Sequence, residues 1–199
     1  MALPAVKLEQ RYTYADYLKW DDGERWEIIY GRPYLMAPAP TLGHQGASGE
    51  LHLQLGNFLK GKKCRVFYAP FDVRLFPKCD DSDDTIVQPD IVVVCDRSKL
   101  GRRGCVGAPD MVIEILSPSN ARHDILLKFH LYQKAGVREY WIVDPEMKIV
   151  SAHILKDGEY VVTTYGNEDS APVHVLEGLS IDLSEVFIDE EEQSLEFRV

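Results

Sequence analysis

Apolar positions along the chain follow two spacings, and the switch between them lays out the elements. Ala47, Leu51, Leu55, Phe58 and Leu59 recur at helical intervals, which predicts an amphipathic helix from about His44 to Lys60, ended by Gly61. A shorter helix, Tyr14 to about Trp20, is predicted behind Thr13, with Asp16 placed to complete a cap. Trp26–Ile29 and Arg32–Met36 read as strands around Tyr30-Gly31. Then come CRVFYAP, FDVRLF, QPDIVVVCD and APDMVIEIL, the last two so apolar that both faces have to be covered. A helix after SPSN runs to about Ala135 and stops at Gly136. EYWIVD follows, and then KIVSAHIL and EYVVTTY, joined by the hairpin signal Asp157-Gly158. No repeat or linker divides the pattern. Residues 1–199 are therefore expected to form one α+β (mixed α/β) domain, with 188–199 as an acidic tail.

Composition narrows this modestly. Of 199 residues, 45% are hydrophobic and 27% charged, as in an ordinary folded protein. With 22 Lys+Arg against 32 Asp+Glu the net charge is −10, which excludes a uniformly basic nucleic-acid coat. No signal-peptide pattern opens the chain, and no segment nears the roughly 18 apolar residues of a membrane helix. A soluble, cytoplasmic protein without a membrane partner is expected. Cys64, Cys79, Cys95 and Cys105 show no CxxC spacing and are expected to be reduced, structural thiols.

The candidate chemistry lies in two acids set among apolar strand residues, Asp90 ahead of IVVV and Glu114 within MVIEIL. A buried carboxylate is costly unless it is paired, hydrogen-bonded or metal-bound. If the two strands form a hairpin centred near Arg102, Asp90 falls opposite Glu114, with Cβ atoms about 5 Å apart. Two such carboxylates suit a hard cation, Mg²⁺ or Mn²⁺. On the following helix Asp124, Lys128 and Tyr132 share a face. Lys128 can point back over the acids, or it can form a surface pair with Asp124.

QPDIVVV, APDMVIEILSPSN, a helix with Lys128 and Tyr132, and GVREYWIVDP, in that order, resemble the Uma-two-type restriction endonuclease family of the PD-(D/E)XK nuclease superfamily. The likeness extends upstream to RWEIIYG and the His44 helix, and downstream to VLEGLSIDLSEVF. It implies a restriction-endonuclease-like mixed sheet flanked by helices, a Mg²⁺-dependent phosphodiesterase acting on DNA, and a homodimer. It also implies that Asp90 and Glu114 hold the metal, and that Glu27 and His44 complete the metal or water network. Leu116 stands where the superfamily pattern has lysine, so Lys128 takes that role by implication. A nuclease-like fold that only binds nucleic acid or protein is the alternative, and a hydrolase of small phosphate esters a third.

Other residues have plainer explanations. Glu27 can lie on the exposed face of a hairpin and His44 can simply sit near a helix start. Asp110 repeats the Pro-Asp chemistry of Asp90 but lies roughly 13 Å along the strand from Glu114, so it is expected to serve a turn. CDDSDDT lacks the glycine and glutamate of a calcium loop and is expected to be solvated. His52, His123, His130, His153 and His174 show no metal spacing. One basic cluster comprises Lys60, Lys62, Lys63 and Arg65. A second, Arg97, Lys99, Arg102 and Arg103, would cap the hairpin some 20 Å from the acids.

Overall fold

Alternation along the apolar strands sets the layering. The computed structural model describes residues 7, 9–36, 40–117 and 122–187, with side chains from 125 onward in the last stretch. The predicted acidic tail, 188–199, and the side chains of His123 and Asp124 lie outside the described residues. In chain order the elements are α1 (Tyr14–Tyr17), β1 (Trp26–Ile29), β2 (Arg32–Leu35), α2 (Leu42–Leu59), β3 (Arg65–Tyr68), β4 (Asp72–Arg74), β5 (Ile86–Val87) and β6 (Ile91–Val94). They continue with β7 (Leu100–Gly101), β8 (Gly104–Val106), β9 (Met111–Ile115), α3 (Arg122–Ala135), β10 (Glu139–Asp144), β11 (Ile149–Lys156) and β12 (Glu159–Gly166). The pair β13 (Ser170–Pro172) and β14 (Ser180–Asp182) closes the described fold.

One six-stranded sheet has the order β12-β11-β10-β9-β6-β3, and a second has β2-β1-β5-β4-β8-β7. In the first, Ile91, Val93, Met111, Ile113, Ile115 and Trp141 pack against Ala47, Leu51, Leu55 and Leu59 of α2. Their neighbours Val92, Val94, Val112 and Tyr140 face the other way, against Leu131 and Tyr132 of α3 and Ile29, Val73 and Val87 of the second sheet. This is the period-two rule of a strand covered on both faces. By the same parity, Glu114 belongs to the α3 side. β9 and β10 are parallel, with Ile142 beside Glu114, and α3 is the crossover between them.

β6 and β9 are antiparallel in the expected register, Ile91 opposite Ile113 and Val93 opposite Met111. The chain between them is not the simple hairpin that register suggested. β8 instead pairs with β4 in the second sheet, Asp72 beside Gly104, and β7 forms that sheet's edge. The excursion between β6 and β9 therefore folds back into the second sheet rather than extending as a hairpin.

Two further expectations are corrected. Cys64 and Cys95 are not reduced thiols but a disulfide, joining β3 to β6 just beyond the Arg65–Val94 pair, where directly opposed side chains are close enough to bond. Cys79 and Cys105 are free. The CDDSDDT segment is not merely solvated. Asp83 is buried against the Arg74 guanidinium, with Nε 2.8 Å from Oδ2, and Arg74 lies over the Tyr14 ring. Asp110 is structural, as expected, and accepts the Cys95 amide at 2.6 Å. Among the described residues no helix is long and apolar enough to cross a membrane.

Candidate active site

Five elements deliver the site. β1 supplies Glu27, the start of α2 supplies His44, the turn into β6 supplies Asp90, β9 supplies Glu114, and α3 lies across them with Lys128 and Tyr132 one turn apart on one face. Thr41 caps α2 by accepting the His44 amide, which fixes the end of the helix that carries the imidazole. Each expected site residue arrives at this place.

Lys128 Nζ lies 2.9 Å from Glu27 Oε1 and 3.1 Å from Glu114 Oε1, so one buried ammonium bridges two carboxylates. Tyr132 donates its hydroxyl to the same Glu114 oxygen at 2.6 Å. The Gln88 amide donates to Glu27 Oε1 at 2.8 Å. Asp90 Oδ2 accepts the Ile115 amide at 2.8 Å and faces His44 Nε2 at 3.3 Å. Leu116 continues the β9 ladder, its amide donating to the Val143 carbonyl, and offers no charge where the resembled pattern has lysine. The cation comes from α3 instead.

The electrostatics follow from one ammonium between two carboxylates, with the Asp90 charge acting on Glu114 as well. Burial pushes the Glu114 carboxyl up to about 7. Lys128 is the main opposing influence, while the Asp90 and Glu27 charges add to the rise. Burial alone would lower Lys128, but Glu114 and Glu27 outweigh it, so its pKa is raised and it stays charged. For His44, burial is likewise outweighed, here by the hydrogen bond and charge of Asp90, and its pKa rises. His44 Nδ1 is buried without a hydrogen-bond partner among the described residues.

The donor set fits a divalent cation. The hydrogen bonds fall on Asp90 Oδ2 and Glu114 Oε1, leaving Asp90 Oδ1 and Glu114 Oε2 without one among the described residues. Among those residues, no group of three or more His, Cys, Asp or Glu side chains converges as a ready cage. Two carboxylates completed by water and substrate oxygens are how Mg²⁺ is commonly held.

One site residue, Gln88, and one buried acid outside the site, Glu139, are marked by no sequence motif. Gln88 ties Glu27 through its backbone, and its position two residues before Asp90 was the available signal. Glu139 is a buried carboxylate that accepts Trp141 Nε1 and the Val175 amide, each at 2.8 Å, and it braces the β13–β14 region rather than the site.

A restriction-endonuclease-like mixed α+β fold with a carboxylate–lysine centre defines the class. The chain belongs to the Uma2 family, described as "Putative restriction endonuclease", whose model matches residues 14–184. It is 24% identical over 176 residues to "Uncharacterized protein slr1290" of Synechocystis sp. (strain ATCC 27184 / PCC 6803 / Kazusa), spanning 86% of this chain and 89% of that protein. A crystal structure from Anabaena variabilis ATCC 29413, described as "a putative nuclease belonging to DUF820", shares the fold with a TM-score of 0.71. Its identity is 22%, and the match covers 88% of this chain and 97% of that one.

Proposed function

We propose that this chain is a Mg²⁺- or Mn²⁺-dependent endonuclease that hydrolyses phosphodiester bonds of DNA. The observation that carries this is the Lys128 ammonium seated between Glu27 and Glu114, supplied by a helix where strand position 116 has only leucine. Asp90 and Glu114 would hold the ion, which when bound polarises the phosphate and lowers the pKa of water. Lys128 stabilises charge that develops on the phosphate oxygens, a task suited to a buried, preorganised cation. Tyr132 and Glu27 hold Lys128 and Glu114 in place, and His44 orients Asp90. Burial pushes the Glu114 carboxyl up to about 7, and a cation held there would favour its ionised form.

The test is nicking of supercoiled plasmid with Mg²⁺ or Mn²⁺. Wild type should cut, while Asp90→Asn and Glu114→Gln, both still folded, should not. Protein that binds DNA yet cuts under neither ion would instead support a binding module that has lost catalysis, the reading Leu116 favours. A homodimer, implied by the family, is checked by light scattering.

A further inference from the structure

Beside the carboxylate–lysine centre lies a second polar network. Arg25 stands two residues ahead of Glu27, and the bond from the Met36 amide to the Arg25 carbonyl extends the β1–β2 pairing to it. Both side chains therefore leave the same face, about 7 Å apart along the strand. The two side chains share one partner residue. Glu27 takes the Gln88 amide, while Arg25 donates Nε and Nη2 to Gln88 Oε1 at 3.1 and 2.9 Å. Gln88 in turn donates to Asp72 Oδ1 and the Tyr17 hydroxyl at 2.9 and 3.0 Å.

Arg103 lies in the β7–β8 turn, one residue before the strand that runs beside Asp72, and its charge acts on the Asp72 carboxyl. The next residue, Gly104, pairs with Asp72 and lies so close that a Cβ there would stand 2.1 Å from the Asp72 carbonyl oxygen. Both arginines are exposed, and among the described residues neither is in an ion pair. Both act on the charge of Asp72, whose carboxyl burial pushes upward and whose Oδ1 is already occupied by Tyr17 and Gln88. Gln88 positions Arg25, yet both guanidinium groups keep an exposed charge with no ion-pair partner among the described residues, on a chain of net charge −10.

We propose that Arg25 and Arg103, gathered around the Asp72–Gln88 pair, form the seat that holds backbone phosphates of duplex DNA flanking the phosphate at the carboxylate–lysine centre. This rests on the nuclease reading for the identity of the polyanion. Gln88 couples seat and site, because its side chain fixes Arg25 and its main chain fixes Glu27. The joined basic patch at Lys62, Lys63 and Arg97, where Arg97 Nε donates to the Lys63 carbonyl, lies beyond the far end of β6, about 17 Å from Asp90, and is not part of the seat.

The test is fluorescence anisotropy of a short labelled DNA duplex, measured with chelator over a salt series so that nothing is cut. Removing one phosphate-binding charge should lower the slope of log affinity against log salt by about 1, so each arginine accounts for about 3.5-fold of the fall in affinity between 50 and 200 mM salt. Arg25→Gln and Arg103→Gln should each show that change, and the pair about 12-fold. Arg25→Lys should keep the slope, which a merely structural arginine would not allow, and Lys62→Gln/Lys63→Gln should leave it unchanged. An unaltered slope in the double arginine variant, or wild type that binds no duplex, overturns the proposal. Arginine-dependent binding by a protein that cuts no DNA under Mg²⁺ or Mn²⁺ upholds the seat and removes the nuclease reading alone.

Discussion

Replacing Lys128 with methionine keeps the length of the side chain and removes the charge that Glu27 and Glu114 share. At an effective dielectric near 20, contacts of 2.9 and 3.1 Å each contribute about 5–6 kcal/mol of attraction. Several kcal/mol of that is offset by the cost of burying the ammonium. The variant recovers the burial cost but leaves two carboxylates facing one another, so the expected loss of stability is about 3–5 kcal/mol. Urea denaturation with chelator at pH 8 and pH 5 measures it. The folded Glu114 carboxyl stands at about 7 against 4.5 for the free group, and losing Lys128 removes the main influence holding it down. A carboxyl raised on folding binds more protons folded than unfolded, so its contribution is favourable below about 4.5 and is lost as pH rises through 7. The penalty should therefore be larger at pH 8 than at pH 5. Adding Glu27→Gln removes one orphaned charge and should recover about 1 kcal/mol or more. A penalty below about 1 kcal/mol at pH 8, or one indifferent to pH, would refute the bridging ammonium.

Three other expectations follow from single contacts. Tyr132→Phe removes a hydroxyl bonded to a buried carboxylate and should cost about 1.5–3 kcal/mol in urea melts, whereas a neutral result would mean the bond contributes nothing. Gly104→Ala forces a methyl into the Asp72 carbonyl and should cost about 2 kcal/mol or more, read as a lowered Tm; full tolerance would contradict the close approach of β4 and β8. Cys64→Ser opens a bridge spanning 31 residues and should cost about 3–4 kcal/mol under non-reducing conditions, with peptide mapping of wild type finding 64 joined to 95. Free thiols at both positions would remove that prediction.

Much of the site was legible because strand parity is a strong constraint. Placing Asp90 and Glu114 in opposed strands needed only their spacing and the apolar residues around them, and the observed register agrees. Helical spacing puts Lys128 and Tyr132 on one face but leaves Lys128 equally able to pair with Asp124, and Glu27 and His44 were legible only through the family resemblance. The second sheet was harder to foresee, since β5 and β7 are two residues long and β4 and β8 three, too short to carry a period. Without that sheet, the position of Asp72 beside Gln88 could not be anticipated. The disulfide was missed because spacing gives no information on a cross-strand pair until β3 is registered against β6. Glu139 carries no local signal, because the partner that satisfies it, the Val175 amide, lies far along the chain.

Whether Asp90 and Glu114 hold a divalent ion is tested most directly by following thermal stability of wild type and Asp90→Asn across a Mg²⁺ titration. An ion bound to the folded state raises stability by about 2.7 kcal/mol at one hundred times its Kd. Wild type should climb along that curve, and Asp90→Asn, which keeps an oxygen for the Ile115 amide, should stay flat. Equal shifts in the two proteins, or none in wild type, would contradict the metal site.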